Sequence, residues 1–274
     1  WPSAFDPDGI LYTETAYGDY PYRMPTSKFD KPSNLFTGWM LLNYNKAVKV
    51  SSSLAGYGAN YAVDEQMKTY WSAKSSKKGE FIQSDLGEVS TVKAIQINYA
   101  DQDVDTSFLG KISGIYHQYQ VFGSKDGKTW QLIIDKSKNK KDVPHDYVEL
   151  AKSVEVRYVK LVNEHMAAGK FAISGLRVFG KGHGELAKEV KDFVVLRGEH
   201  DKRSAWLKWR HDPQATGYVV YSGIAPDKMY TSVQVFGANE YYFKSMDKDK
   251  TYYFQIEAFN ENGIGKRGAI IKSE

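Results

Sequence analysis

The sequence predicts an all-β chain, two β-sandwiches in series behind a proline-rich leading segment. Three observations carry this. Helical periodicity is nearly absent, and short apolar-alternating runs recur between Gly, Asn-Gly and Asp-Gly breaks, the rhythm of sandwich or barrel strands. Aromatics form 14% of the 274 residues, and such side chains suit a pleated, half-buried surface. The 23 glycines supply the turns that many short strands need. A chain of this length holds two domains of ordinary size, each with its own core.

Residues 1–36 stand apart. They contain Pro2, Pro7, Pro21, Pro25 and Pro32, five of the eight prolines, so several central strands are not expected there. Ile10-Leu11-Tyr12-Thr13, after Asp8-Gly9, reads as a turn into one short strand. The next domain is expected at 37–182, with strands at 47–51, 80–86, 92–99, 119–124, 130–134, 147–150, 157–162 and 175–179. Eight strands in that span suit a jelly-roll-like sandwich, with Lys125-Asp126-Gly127-Lys128 as a hairpin turn. Gly180-Lys181-Gly182-His183-Gly184 reads as a linker. Over 183–274, strands are expected at 193–197, 206–210, 217–221, 232–236, 240–243, 252–259 and about 269–272, an immunoglobulin-like count without the disulfide. On the strand at 252–259, Tyr252, Phe254, Ile256 and Ala258 face inward and Tyr253, Gln255 and Glu257 outward.

Charge and composition narrow the partners. A net charge of +4, from 37 basic and 33 acidic residues, is mild, and the lysines are scattered rather than gathered into a stripe, so no nucleic acid is expected. The absence of cysteine removes disulfides and thiolate metal sites. No apolar run reaches the length of a membrane span. The first residue is Trp1, so the chain reads as part of something longer whose targeting segment is missing.

The middle segment resembles the discoidin family, or coagulation factor V/VIII C-type, whose bacterial members are family 32 carbohydrate-binding modules. Ala62-Val63-Asp64-Glu65, Thr69-Tyr70-Trp71, Phe81 to Gly87, Tyr119 to Trp130, Arg157 to Leu161 and Leu176 to Gly180 carry the likeness, in order. The last segment resembles fibronectin type III, with Trp209 as core tryptophan and Tyr252 as tyrosine-corner residue. The first resembles the end of a five-bladed propeller of glycoside hydrolase family 43, on Phe5 to Tyr12, Thr15 to Pro21 and Phe36 to Leu42. Domains follow: 1–36 as a propeller remnant plus linker, 37–182 as a discoidin-like carbohydrate-binding domain and 183–274 as a fibronectin type III domain.

The family 43 resemblance implies a xylosidase- or arabinosidase-like parent that inverts with two carboxyl groups across the scissile bond. Asp6, Asp8 and Asp19 sit in turn contexts and are read as turn-formers. No catalytic residue is therefore assigned, and the chain by itself is expected not to hydrolyse glycosides. The discoidin resemblance implies a structural calcium near Asp64, Gln66 and Thr69. Two departures bear on it: Glu65 replaces a frequent glycine, and Gly175 falls where the last strand often supplies an acid. The alternative is that Asp64 caps the turn through backbone amides.

Sugar binding in this family uses loops at one end of the sandwich, where an aromatic ring lies under a pyranose and fixed donors and acceptors meet its hydroxyls. Three loops supply candidates: Tyr57 and Tyr61; Asp103, Asp105, Phe108, Tyr116 and His117; and Asn163, Glu164 and His165. Tyr61 and Tyr116 also suit core or shoulder positions, and the two histidines suit hydrogen bonding. Trp71, Phe81 and Trp130 are assigned to the core. The expected function is a carbohydrate-binding accessory region of a secreted hydrolase acting on plant-type polysaccharide. Its partners are a poly- or oligosaccharide and its own N-terminal catalytic domain, at a secreted, periplasmic or cell-surface bacterial location. The alternative is a set of spacer or adhesion modules that brace the propeller without binding sugar.

Overall fold

The computed structural model describes residues 39–104, 115–229 and 231–273, and before them the backbone of three short strands. Asp6, Asp8, Asp19, Asp105, Phe108 and Tyr230 lie outside the described residues. The chain divides into two compact units, Trp1–Gly38 and Trp39–Glu274. In the first, β1 (Ala4–Phe5), β2 (Ile10–Thr13) and β3 (Tyr22–Pro25) form an antiparallel sheet in that order. The strand expected at 10–13 is its centre. Pro25 pairs at the strand end, opposite Ile10, where the missing N–H costs least.

The second unit opens with one sandwich: β4 (Met40–Leu41), β5 (Val48–Val50), β6 (Trp71–Ser72), β7 (Phe81–Tyr99), β8 (Gln118–Ser124), β9 (Gln131–Asp135), β10 (His145–His165) and β11 (Ala172–Lys181). The order is β4-β11-β7-β10-β8-β9, with β5 on β7 and β6 on β11. The sequence suggested two strands each within β7 and β10. Their mutual ladder instead continues round a corner near Gly87, with irregularities between Glu149 and Val154 and between Val156 and Tyr158. Such bulges let paired strands bend together from one face of the sandwich to the other.

Alternation fills the core. Ile82, Leu86, Ile95 and Ile97 of β7 are buried, as are Val121, Val159, Leu161 and Trp71. The Trp71 ring meets Phe171 edge-on at 5.4 Å. Phe81 and Trp130, assigned to the core from sequence, are half-buried. Lys160 Nζ lies 3.7 Å from the Trp130 ring centre and 5.6 Å from that of Phe81. With a side-chain period of two, burying Ile82 turns Phe81 to the outer face.

Because β7 and β10 double back, both ends of each reach the same end of the sandwich. Gln118 pairs with His165, Phe81 with Val162, Asn98 with His145 and Tyr99 with Ile173. Ala73 N donates to Phe171 O, and Asn163 N donates to Glu80 O, extending the β6–β11 and β7–β10 ladders to that end. The connections after β5, β6, β7 and β10 therefore share one rim.

A second sandwich follows. One sheet holds β12 (Val194–Arg197), β13 (Ala205–Lys208) and β16 (Glu240–Phe243). The other holds β14 (Gly217–Gly223), β15 (Thr231–Phe236), β17 (Tyr253–Asn260) and β18 (Gly263–Ile264), with β19 (Ile271–Lys272) on β17. Trp209 is core, 5.1 Å from the Tyr218 ring, and the Tyr252 hydroxyl accepts from Asp247 N. Phe254, Ile256 and Ala258 are buried as expected. Glu257, expected outside, is also buried. Arg267 from beyond β18 and the Tyr221 hydroxyl both donate to its carboxylate at 2.7 Å, so a later segment covers the outward face.

The 180–184 stretch, read as a linker, is tied down. Gly182 N donates to Glu261 O, Gly184 N to Asn262 Oδ1, and the Asn260 and Asn262 amides to Glu185 O. Lys46 and Glu261 form an ion pair at 2.9 Å across the joint. Among the described residues no helix is long and apolar enough to cross a membrane.

Candidate functional site

Three groups of side chains build the rim. In the first, the Tyr57 and Tyr70 rings lie 4.7 Å apart, tilted by 36°. The Tyr70 hydroxyl donates to Gln102 Oε1 at 2.8 Å, and Gln102 Nε2 donates to Asp103 Oδ1 at 2.6 Å. Lys170 closes the chain with an ion pair to Asp103. Burial, then the neighbouring Tyr57 and Asp103, push the Tyr70 hydroxyl up to about 12. The loops at 102 and 170 are zipped together, since Lys170 N donates to Gln102 O. Gly169 has a φ of +66°, and a Cβ there would collide with that same carbonyl, so only glycine fits.

In the second group, His117 stacks on Tyr99 at 3.9 Å and 17°, and Tyr116 lies 4.9 Å from His165. His117 O accepts from Asn139 Nδ2. The buried Tyr99 hydroxyl and His117 Nδ1 have no protein partner among the described residues, leaving two polar atoms beside stacked rings. Burial holds His117 below the usual histidine range, with His165 adding to it and Asp142 and Asp101 opposing.

The third group braces the other two. Burial acts to raise the Glu80 carboxyl, but hydroxyls of Ser51, Ser75 and Ser52, with Lys77, bring it below the ordinary value. Asn163 is fully buried and its Nδ2 donates to Ser76 O and Lys77 O. Glu164 pairs with Lys78 at 2.5 Å. Both therefore hold the 73–80 loop. Tyr61 is half-buried in a 3-10 turn, Ala59–Ala62. Asp64 Oδ1 accepts from Gln66 N at 2.9 Å and Oδ2 from the Thr69 hydroxyl at 2.8 Å.

Thus the rim gathers Tyr57, Asp103, Tyr116, His117 and His165, while Asn163 and Glu164 support it from behind. Tyr70, Tyr99, Gln102 and Lys170 were not singled out from sequence. One signal was present for Tyr70: it precedes the core Trp71, and alternation sends it outward.

The F5/8 type C domain family model matches residues 47–176, which takes in the whole rim. Similar solved structures include chitosan-binding module 1 of a chitosanase/glucanase from Paenibacillus sp. IK-5, at 20% identity over 52% of this chain and 99% of that one, TM-score 0.43. The family 32 carbohydrate-binding module of Clostridium perfringens NanJ, in complex with galactose, shares 16% identity over 52% and 98%, TM-score 0.42. A Streptococcus pneumoniae fucose-binding module shares 16% over 54% and 100%, TM-score 0.42. No curated protein matches the chain.

The lowered His117 and Glu80 values set an acid response. His117 is depressed in the fold, so the unfolded chain takes up its proton first. Stability from this group is complete above about 6.5 and is lost as pH falls below it. Glu80 and Glu261, both depressed from 4.5, add a second loss below about that pH. For Glu261, burial opposes and Lys46 outweighs it. Melting temperature against pH should fall in two stages, and His117→Gln should remove the upper one. A single stage in the native chain would contradict the buried, neutral His117.

Proposed function

We propose that the chain is a carbohydrate-binding accessory region and that the first sandwich holds its sugar at the rim. One observation carries the reading. Paired rings (Tyr57 with Tyr70, Tyr99 with His117, Tyr116 with His165) stand beside hydrogen-bonding groups at the end where the strand register collects the loops. A pyranose has an apolar face and an equatorial fringe of hydroxyls, so rings and fixed polar atoms recognise it together. The F5/8 type C match supports the assignment. The chitosan, galactose and fucose named for similar structures guide the choice of probes.

On this reading the parent is a secreted or surface-bound glycoside hydrolase, xylosidase- or arabinosidase-like and inverting, whose propeller ends within residues 1–36. The second sandwich is a fibronectin type III-like spacer. A second reading, of modules that brace the propeller, draws support from the pinned joint at 182–185. A glycan array of the full chain, covering galactosides, fucosides, chito-, xylo- and arabino-oligosaccharides, tests between them. Binding to at least one class is expected. Tyr57→Ala and His165→Ala should each weaken it roughly tenfold, about 1.4 kcal/mol. No binding across the array would favour the bracing role. The purified chain is expected to release nothing from aryl xylosides or arabinosides.

A further inference from the structure

We infer that Arg177 supplies from within the chain the positive charge that calcium would bring to the 64–69 loop, so that the first sandwich is held without metal. The residues at this loop do not fit the ion. Calcium takes six to eight oxygens at about 2.3–2.6 Å, several of them carboxylate. Here both Asp64 oxygens accept hydrogen bonds from Gln66 N and the Thr69 hydroxyl. The Gln66 carbonyl accepts from Thr69 N at 3.3 Å. Among the described residues no three His, Cys, Asp or Glu side chains gather to hold a metal.

The neighbouring carboxylate, Glu65, is already neutralised. Arg177 Nε donates to its two oxygens at 2.7 and 2.9 Å. The pair is largely shielded, with side chains 22% and 19% exposed. Glu65 has a φ of +57°, a conformation that costs energy for any residue with a Cβ and none for glycine. A non-glycine persists there when its side chain gains something, and the guanidinium is what it gains. Gly175 completes the arrangement. It stands two residues before Arg177 on β11, on the same face. A Cβ at 175 would lie 3.4 Å from an Arg177 nitrogen and 3.6 Å from Cζ. The guanidinium thus fills the space that an acidic side chain on this strand would enter. Asn98 Nδ2 lies 3.2 Å from the same point, so the space beside Gly175 is filled by the guanidinium and this amide. A doubly charged ion entering there would have to displace, and then repel, a tethered cation.

Thermal melting of the full chain in millimolar calcium and in excess EDTA tests this. The native protein should melt at the same temperature in both. Arg177→Ala should melt several degrees lower in both, and Arg177→Lys should recover part of the loss. Glu65→Gly/Gly175→Glu/Arg177→Ala should acquire a calcium-dependent rise that EDTA abolishes. A native melting temperature that climbs with calcium and loses that climb in Asp64→Asn would overturn the inference. So would an Arg177→Ala chain that melts like the native one. Calorimetric titration of the native chain with calcium chloride gives an independent reading: no heat of binding is expected, and saturable binding would refute the substitution.

Discussion

Trp71→Ala is expected to destabilise the first sandwich severely while leaving the second unchanged. The indole has no exposed surface and packs edge-on against Phe171. Its Nε1 donates to Ser52 O at 3.1 Å and Ser53 Oγ at 3.0 Å, so it also pins the loop that carries Tyr57. Truncating a buried Trp to Ala costs about 3–5 kcal/mol through lost transfer energy and the cavity left behind. Domain stabilities are about 5–15 kcal/mol, so the variant stands near the threshold. Differential scanning calorimetry should show one transition displaced downward by roughly 10–20 °C and another unmoved. Trp206→Ala, which removes an indole 43% exposed on the second sandwich, should move either transition by no more than about 0.5 kcal/mol equivalent. Equal effects from the two would contradict the core assignment.

The complementary result is expected from Arg267→Met. Glu257 is 3% exposed, and its carboxylate depends on the Arg267 guanidinium and the Tyr221 hydroxyl. Arg267 also stacks 3.9 Å over the Tyr221 ring. Removing one partner of a buried pair leaves an uncompensated charge, at a cost of about 3–5 kcal/mol. Replacing both partners with apolar groups removes that penalty. Arg267→Met/Glu257→Leu should therefore be markedly more stable than Arg267→Met alone, and the coupling in a double-mutant cycle should exceed about 1 kcal/mol. Urea unfolding monitored by tryptophan fluorescence reads it, and additive losses would show the pair to be solvated.

These cases also mark what the sequence made legible. Trp71, Trp209 and the inward face of β17 announce themselves through period-two alternation, which is local. The burial of Glu257 depends on a residue ten positions later folding back over it, and no local pattern encodes that. The single long strands β7 and β10 looked like four, because Gly87 and residues 151–153 interrupt the alternation while the ladder between the strands persists. Phe81 was assigned to the wrong face by a one-residue offset from Ile82, and Trp130, assigned to the core, is half-buried beneath Lys160. At the rim, Tyr57, Tyr116, His117 and His165 stood out because they lie in connections between expected strands. Tyr99 did not, because it ends a strand, and its place beneath the rim, under His117, depends on the doubling back of β7. The bracing of Asn163 against Ser76 and Lys77 likewise joins segments 86 and 87 residues apart.

Nitrogen-15 amide spectra of the full chain, titrated with galactose, fucose, chitobiose and xylo- and arabino-oligosaccharides, test the central claim most directly. Saturable shifts are expected at residues 57, 70, 99, 102–103, 116–117, 165 and 170, and the second sandwich should stay silent. Shifts confined to the second sandwich, or none with any of these sugars, would contradict a glycan site at the rim of the first.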